Sequence, residues 1–318
     1  MNLNQIKSGK TLLITAFFLI ISHSAVSQEG KSLAEMLGYP KDSKLLIIHA
    51  DDMGLAQSVN SATMRAFGKN GITSGSLMVP CPWAYEMADY LRKNPGLDVG
   101  IHLTLTAEWE FYKWDGVTSS DKIPSLLDDQ GYLYPSVEAV GKAARAEEAE
   151  MEIKSQIEKA ISWGIEPTHI DTHMGSVLAT PELVRIYISL SKQYNLPILF
   201  PRAYISFLPP ETAKILQSEP FLLDNLFMIE PEMIKRSWLE PYRKAVEEMK
   251  PGLNQIIVHL GYDNDELKAI TINHDDYGSA WRQKDLDLVL SDEFNELLRK
   301  NNIILIGWKQ IRDLMRKR

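Results

Sequence analysis

Cysteine is almost absent from this chain. Cys81 stands alone among 318 residues, so no disulfide can form within the chain and stability must come from a buried core. It follows an expected strand and lies between Pro80 and Pro82, which reads as a buried structural thiol rather than a nucleophile. Also missing are a Gly-x-Ser-x-Gly elbow, a phosphate-cradling P-loop and a Gly-x-Gly-x-x-Gly turn after a strand. Those absences argue against a serine hydrolase, a nucleoside triphosphatase and a nicotinamide-dependent dehydrogenase. Positive charge is in deficit, with 34 Lys and Arg against 42 Asp and Glu for a net charge of −8. Nucleic acid and anionic membrane surfaces, which bind through clustered Lys and Arg, are therefore not expected partners.

Long apolar runs are scarce too. The run Thr11–Ile21 follows Lys7 and Lys10 and precedes the small residues Ala25-Val26-Ser27. It is shorter than the roughly 20 residues a membrane span needs, and it fits a secretory signal peptide over residues 1–27. Cleavage would remove two lysines and no acid, moving the net charge from −8 to −10. The mature protein is expected to be secreted, most simply to a bacterial periplasm, with no stable membrane insertion.

What is present is a repeated alternation of strand and helix. The run Lys44–Ala50 is continuously apolar, as a strand covered on both faces should be. Further strands are expected at Ser74–Val79, Asp98–Leu105, Thr168–Thr172, Pro197–Phe200, Phe221–Ile229, Gln255–Leu260 and Ile303–Ile306. Helices are expected over Val59–Lys69, Ala84–Lys93, Val137–Trp163, Pro181–Tyr194, Pro231–Met249, Trp281–Lys300 and Trp308–Lys317. Eight strands, each followed by a helix or long loop, suit a single α/β domain of (β/α) TIM-like barrel type. Residues 106–135 break the pattern with Trp109, Phe111, Tyr112, Trp114, Tyr132 and Tyr134 among Gly, Asp and Ser. Such a loop could offer a surface on which a sugar ring stacks, or it could cap the core.

Four motifs place imidazoles and carboxylates at expected strand ends. They are His49-Ala50-Asp51-Asp52-Met53-Gly54, Gly100-Ile101-His102-Leu103-Thr104, His169-Ile170-Asp171-Thr172-His173 and Val258-His259-Leu260-Gly261-Tyr262-Asp263. In barrels of this kind the active site lies at the C-terminal strand ends, so the four converge on one rim. Imidazole with carboxylate is the ligand set of a divalent cation such as zinc, iron, manganese or magnesium. Of Asp51 and Asp52, one can hold the ion while the other takes a proton. Of His169 and His173, one is a ligand and the other a supporting group, with Asp171 placed to accept an imidazole N–H. His102, in an apolar strand, is a metal candidate. His259 is a natural general acid, with a fourth ligand or a structural role as alternatives.

Together these stretches resemble the YdjC-like family, whose best-known members are chitooligosaccharide deacetylases. The resemblance rests on Ile47–Gly54 with Asn60 behind it, Gly71–Ser76, Val99–Thr106 and Pro167–His173. It runs on through Pro201-Arg202 and Val258–Gly261 to Trp281-Arg282. It implies a distorted (β/α) barrel over residues 28–318 with an Asp-His-His site for a divalent metal ion, Mg or Zn. Asp52, His102 and His173 would hold the ion. Asp51 would be the base and His259 the acid, His169 and Asp171 would support, and Arg202, Trp109 and Trp114 would position the sugar. The implied reaction removes an N-acetyl group from an amino sugar or oligosaccharide. The alternatives are a barrel that binds carbohydrate without turnover and a hydrolase of another amide or ester bond. The expected partner is the N-acetylated carbohydrate, with a homodimer left open. The chain departs from the family where Met174-Gly175-Ser176-Val177 follows His173 in place of further histidines, and where Leu260 replaces a common proline.

Overall fold

The computed structural model describes residues 31–234 and 237–318. The expected signal segment 1–27 lies outside these residues, as do Lys235 and Arg236 of the helix expected over Pro231–Met249. No helix among the described residues is long and apolar enough to cross a membrane.

Among the described residues seven parallel strands are formed: β1 Lys44–Met53, β2 Ser74–Leu77, β3 Val99–Leu103, β4 Ile170–Thr172, β5 Asn225–Met228, β6 Gly252–His259 and β7 Ile303–Leu305. The main sheet runs β4-β3-β2-β1-β6-β5. Its two ends are tied together only by isolated bridges, Ile170 with Ile198 and Pro201 with Leu223. The strand expected at Pro197–Phe200 is thus reduced to a bridging segment, with Pro197 unable to donate to a ladder. The last expected strand does not take a full place in the ring. β7 pairs with β1 only at Lys44–Leu46, while β2 takes the upper part of the same β1 edge at His49–Met53. The result is the expected distorted (β/α) barrel, with fewer regular strands than eight.

Alternation along the strands separates two cores. Leu46, Ile48 and Ala50 of β1 pack with the surrounding helices, while Leu45 and Ile47 pack with Leu253, Ile257, Leu223 and Trp308 on the inner face. His49 and Asp51 continue the inner face upward. Register does the rest: Asp51 lies beside His259, and His102 beside Asp171. In-register neighbours on parallel strands share a face, so both pairs point into the barrel.

Three expected helices are broken, and of Pro231–Met249 only a 3-10 turn at Pro231–Met233 and a helix over Leu239–Glu247 form among the described residues, with Ile234 extended after the turn. Val137–Trp163 divides into Val137–Ala143 and Ala146–Ser162, with Ala144 and Arg145 in extended conformation between them. Trp281–Lys300 divides into Ser279–Val289 and Asp292–Lys300, because the Ser291 hydroxyl caps the second by accepting from the Phe294 N–H.

Gly100 has a packing reason. A Cβ there would sit 2.5 Å from Cε1 of His169, whose ring stacks on Trp308 with centroids 5.1 Å apart and planes 21° apart. Gly100→Ala should therefore destabilise the fold by about 1–3 kcal/mol through overpacking. A urea melt checks this, and an unchanged midpoint would show that the column His169–Trp308 yields freely.

Candidate active site

The Asp51-Asp52 pair is shaped by the backbone. Adjacent strand residues normally face opposite ways, yet both carboxylates here approach His102 Nε2, at 3.9 Å from Asp51 Oδ2 and 3.4 Å from Asp52 Oδ1. The register with β2 slips between Ala50 and Met53, and Asp52 adopts φ 67°. A bulge with a left-handed residue turns the second carboxylate back toward the first. Asn60 holds the following turn. Its carbonyl accepts from Gly54 N–H at 2.7 Å, and its amide donates to Trp83 O and Glu86.

Asp52 is the centre of the cluster. Its Oδ2 accepts from the buried Arg282 guanidinium at 2.7 Å. Its Oδ1 faces His102 Nε2 at 3.4 Å and His173 Nδ1 at 3.2 Å, yet is buried with no hydrogen-bond partner. Burial alone would push this carboxyl up. Arg282, His102 and His173 instead hold it well below the usual carboxylate range, so it is ionised.

Each of the two imidazoles is fixed from behind. His102 Nδ1 lies 2.8 Å from Asp171 Oδ1, and His173 Nε2 lies 2.9 Å from Glu108 Oε2. A carboxylate behind a ring keeps the proton on that side and turns the lone pair of the other nitrogen inward, the usual dress of a metal-ligating histidine. The three inward atoms lie within 4.8 Å of one another. An orphaned, ionised carboxylate oxygen faced by two such nitrogens is a donor set that fits a divalent cation. Two other groupings meet the same spacing, His49–His169–Asp171 and Asp51–His102–Asp171. In both, the Asp171 oxygens are already engaged by His102 and His49.

His173 also reports the field of the site. Burial would lower its pKa, but the charge of Glu108 and the carboxylate of Asp52 raise it to about 9, so without an ion the inward Nδ1 carries a proton that a cation must displace before the lone pair is presented. The same negative field that favours a proton favours a cation, so loading should weaken as pH falls. Glu108→Ala should lower metal affinity about 10- to 100-fold by releasing the His173 ring. Calorimetric titration of metal into the variant checks this, and unaltered affinity would leave Glu108 without that role.

His259, at the end of β6, presents Nε2 at 3.9 Å from Asp51 Oδ2. Burial, with the charge of Arg282 and His102 added, drives its pKa down to about 4, so it is neutral at neutral pH. Asp285 steadies it by accepting its backbone N–H at 2.9 Å, and also accepts from Trp238 Nε1 and Tyr242 OH. Burial pushes Asp285 from 3.8 up to about 6. The folded state therefore holds this proton where the unfolded chain has lost it. Its contribution to stability is full below pH ~4 and falls by about 3 kcal/mol as pH rises through ~6. Asp285→Asn should lack that decline, as urea melts at pH 4.5 and 7 would show; equal pH slopes in the two proteins would refute it.

Of the supporting pair, Asp171 is in place. His169 stands one step further back: its Nε2 is 3.8 Å from Asp171 Oδ2, its Nδ1 meets Thr168 Oγ1 at 2.9 Å and its ring lies on Trp308. Trp109 and Trp114, expected to position a sugar, are instead buried at 2% and 3% exposure. Trp114 donates to Thr106 O, and Trp109 lies under the Arg282 guanidinium and against His274. They wall the site rather than present a face. The outward aromatics of that loop are Phe111, at 73% exposure, and Tyr132, at 38%. Arg202 spends its guanidinium on Asp224 and the carbonyls of Glu219 and Pro220, with no hydrogen bond to the cluster. Cys81 is buried, as expected.

The profile of YdjC-like proteins matches residues 45–300. The chain belongs to the YdjC-like family. A carbohydrate deacetylase of Thermus thermophilus is 33% identical over 243 residues, which cover 71% of this chain and 81% of that one. A chitooligosaccharide deacetylase of Yersinia enterocolitica is 30% identical over 162 residues, covering 50% of this chain and 60% of that one. A solved structure from Enterococcus faecalis, described provisionally as a cellobiose-phosphate cleavage protein, shares the fold. Its TM-score is 0.72 at 22% identity, covering 85% of this chain and 99% of that one.

Proposed function

We propose that this protein is a metal-dependent carbohydrate N-deacetylase, hydrolysing the acetamide of an amino sugar or oligosaccharide to acetate and amine. The observation that carries the reading is the buried, unpartnered Oδ1 of Asp52 faced by His102 and His173. The named activities of its relatives support the substrate class. Two imidazoles with one carboxylate suit zinc better than magnesium, which prefers oxygen ligands.

A divalent cation held there would polarise the scissile carbonyl and favour deprotonation of the attacking water. The chain's own residues handle the protons. Asp51 Oδ2, which faces His102 and His259, takes the proton of the water. His259 Nε2, neutral at the outset, receives it across the 3.9 Å gap and passes it to the departing nitrogen. Arg282 keeps Asp52 ionised throughout. Phe111 offers the exposed ring against which a sugar can stack. The apolar run Thr11–Ile21 behind Lys7 and Lys10 supports the reading of residues 1–27 as a leader for export to the periplasm.

The test is a panel of N-acetylated monosaccharides and oligosaccharides incubated with zinc-loaded protein, with acetate and free amine measured together. Equal appearance of both from at least one member is the expected result. Binding without either product would mean a carbohydrate-binding barrel, and acetate without amine from an O-acetylated sugar included in the panel would mean an ester as the scissile bond.

A further inference from the structure

The deacetylase reading leaves His49 without a task, although its side chain is fully buried in the middle of the cluster. It lies two residues before Asp51 on the inner face of β1. Its Nε2 is 2.9 Å from Asp171 Oδ2, 3.1 Å from Asp51 Oδ1 and 3.2 Å from Ser76 Oγ. Its Nδ1 has no partner. A nitrogen this close to two carboxylate oxygens must carry a proton, because a lone pair there would face two others. The tautomer is therefore fixed with the proton on Nε2.

That proton points chiefly at Asp171, with Asp51 Oδ1 off the line. Asp51 Oδ1 is buried and makes no hydrogen bond of its own, and the Nε2–H edge of His49 is the donor beside it. Asp51 Oδ2 is left facing His102 and His259, at 3.9 Å from each. Asp171 meanwhile holds His102 with its other oxygen. One buried carboxylate thus orients two imidazoles with separate duties.

We propose that His49 is a positioning residue for Asp51: its Nε2–H edge, aligned by Asp171, lies 3.1 Å from Asp51 Oδ1 and attracts that oxygen by its positive charge density rather than by a formed hydrogen bond, so that Oδ2 is turned to the attacking water. This rests on the assignment of Asp51 as base. Asp171 is then a branch point, serving the metal through His102 and the base through His49.

The branch makes the proposal testable by reach. A Gln amide at position 49 extends to the place of Nε2, whereas an Asn amide extends only to the place of Nδ1, where nothing receives it. Wild type, His49→Gln, His49→Asn, Asp171→Asn and Asp51→Asn would be compared, each checked by thermal melt. The readouts are kcat and KM on N-acetylglucosamine disaccharide with zinc-loaded protein, and zinc affinity of metal-free protein by calorimetry. His49→Asn should lose about 10- to 100-fold in kcat with KM and zinc affinity within about twofold, and His49→Gln should recover most of that loss. Asp171→Asn should lose zinc affinity and kcat together.

Equal kcat in the Asn and Gln variants would overturn the proposal, as would a fall in zinc affinity parallel to the fall in kcat. An inactive Asp51→Asn beside a fully active His49→Asn would sink the role of His49 alone. A fully active Asp51→Asn, or a wild type that releases no acetate, would sink the base assignment and this proposal with it.

Discussion

His102→Ala should leave a protein that neither binds zinc stoichiometrically nor turns over, with activity down by at least about 10³-fold. The substitution removes one of the two nitrogens facing Asp52 Oδ1. It also strips Asp171 Oδ1 of its His102 partner, so Asp171 loses part of what keeps its carboxyl low. Some loss of stability is expected, because a buried carboxylate without its partner is costly. The comparison is therefore made on folded protein, verified by circular dichroism, at a temperature below the variant's own transition. Equilibrium dialysis against zinc and acetate release together read the outcome. Wild-type-like turnover in folded His102→Ala would remove the metal assignment.

The second large effect separates the base from the ion. Asp51→Asn keeps the volume of the side chain and leaves Asp52, His102 and His173 in place, so zinc affinity should change little. Turnover should fall by about 10²- to 10⁴-fold, the range that a positioned proton acceptor contributes. KM should hold, since Asp51 is assigned no part in binding the sugar. If zinc affinity collapsed instead, Asp51 would be acting as a ligand, and the pair of carboxylates would have to be reassigned.

Much of this site could be read from strand ends. The apolar run before His49-Ala50-Asp51-Asp52 marks a strand buried on both faces, and its end is where barrel chemistry sits. The same holds for His102 and His259. What could not be read is what the tertiary fold decides. Strand alternation gives Asp51 a direction but not Asp52, whose orientation depends on a bulge and a positive φ. The spacing of His169 and His173 left two roles for two residues. The gap at Gly100 and the ring of Trp308 decide which goes where. Glu108 lies six residues past His102 in an irregular loop, where no periodicity ties it to His173. Arg282 stood in the family-like Trp281-Arg282 without a role, although its guanidinium fixes Asp52.

The errors have similar causes. A loop rich in Gly, Asp and aromatics looks like an open face, but burial depends on what packs across it, and Trp109 and Trp114 are covered. Short apolar runs such as Pro197–Phe200 read as strands whether or not a ladder forms, and here only isolated bridges do. Ser291 could have been recognised as a helix start from the acidic pair that follows it, which is the signal that separates Asp292–Lys300 from the helix before it.

The most direct test of the whole account is zinc titration of metal-stripped protein while acetate release from an N-acetylated oligosaccharide is followed. No release is expected from the stripped protein, and activity should rise with added zinc to a plateau at one equivalent. Full activity in the stripped protein, or activity indifferent to the ion, would contradict it.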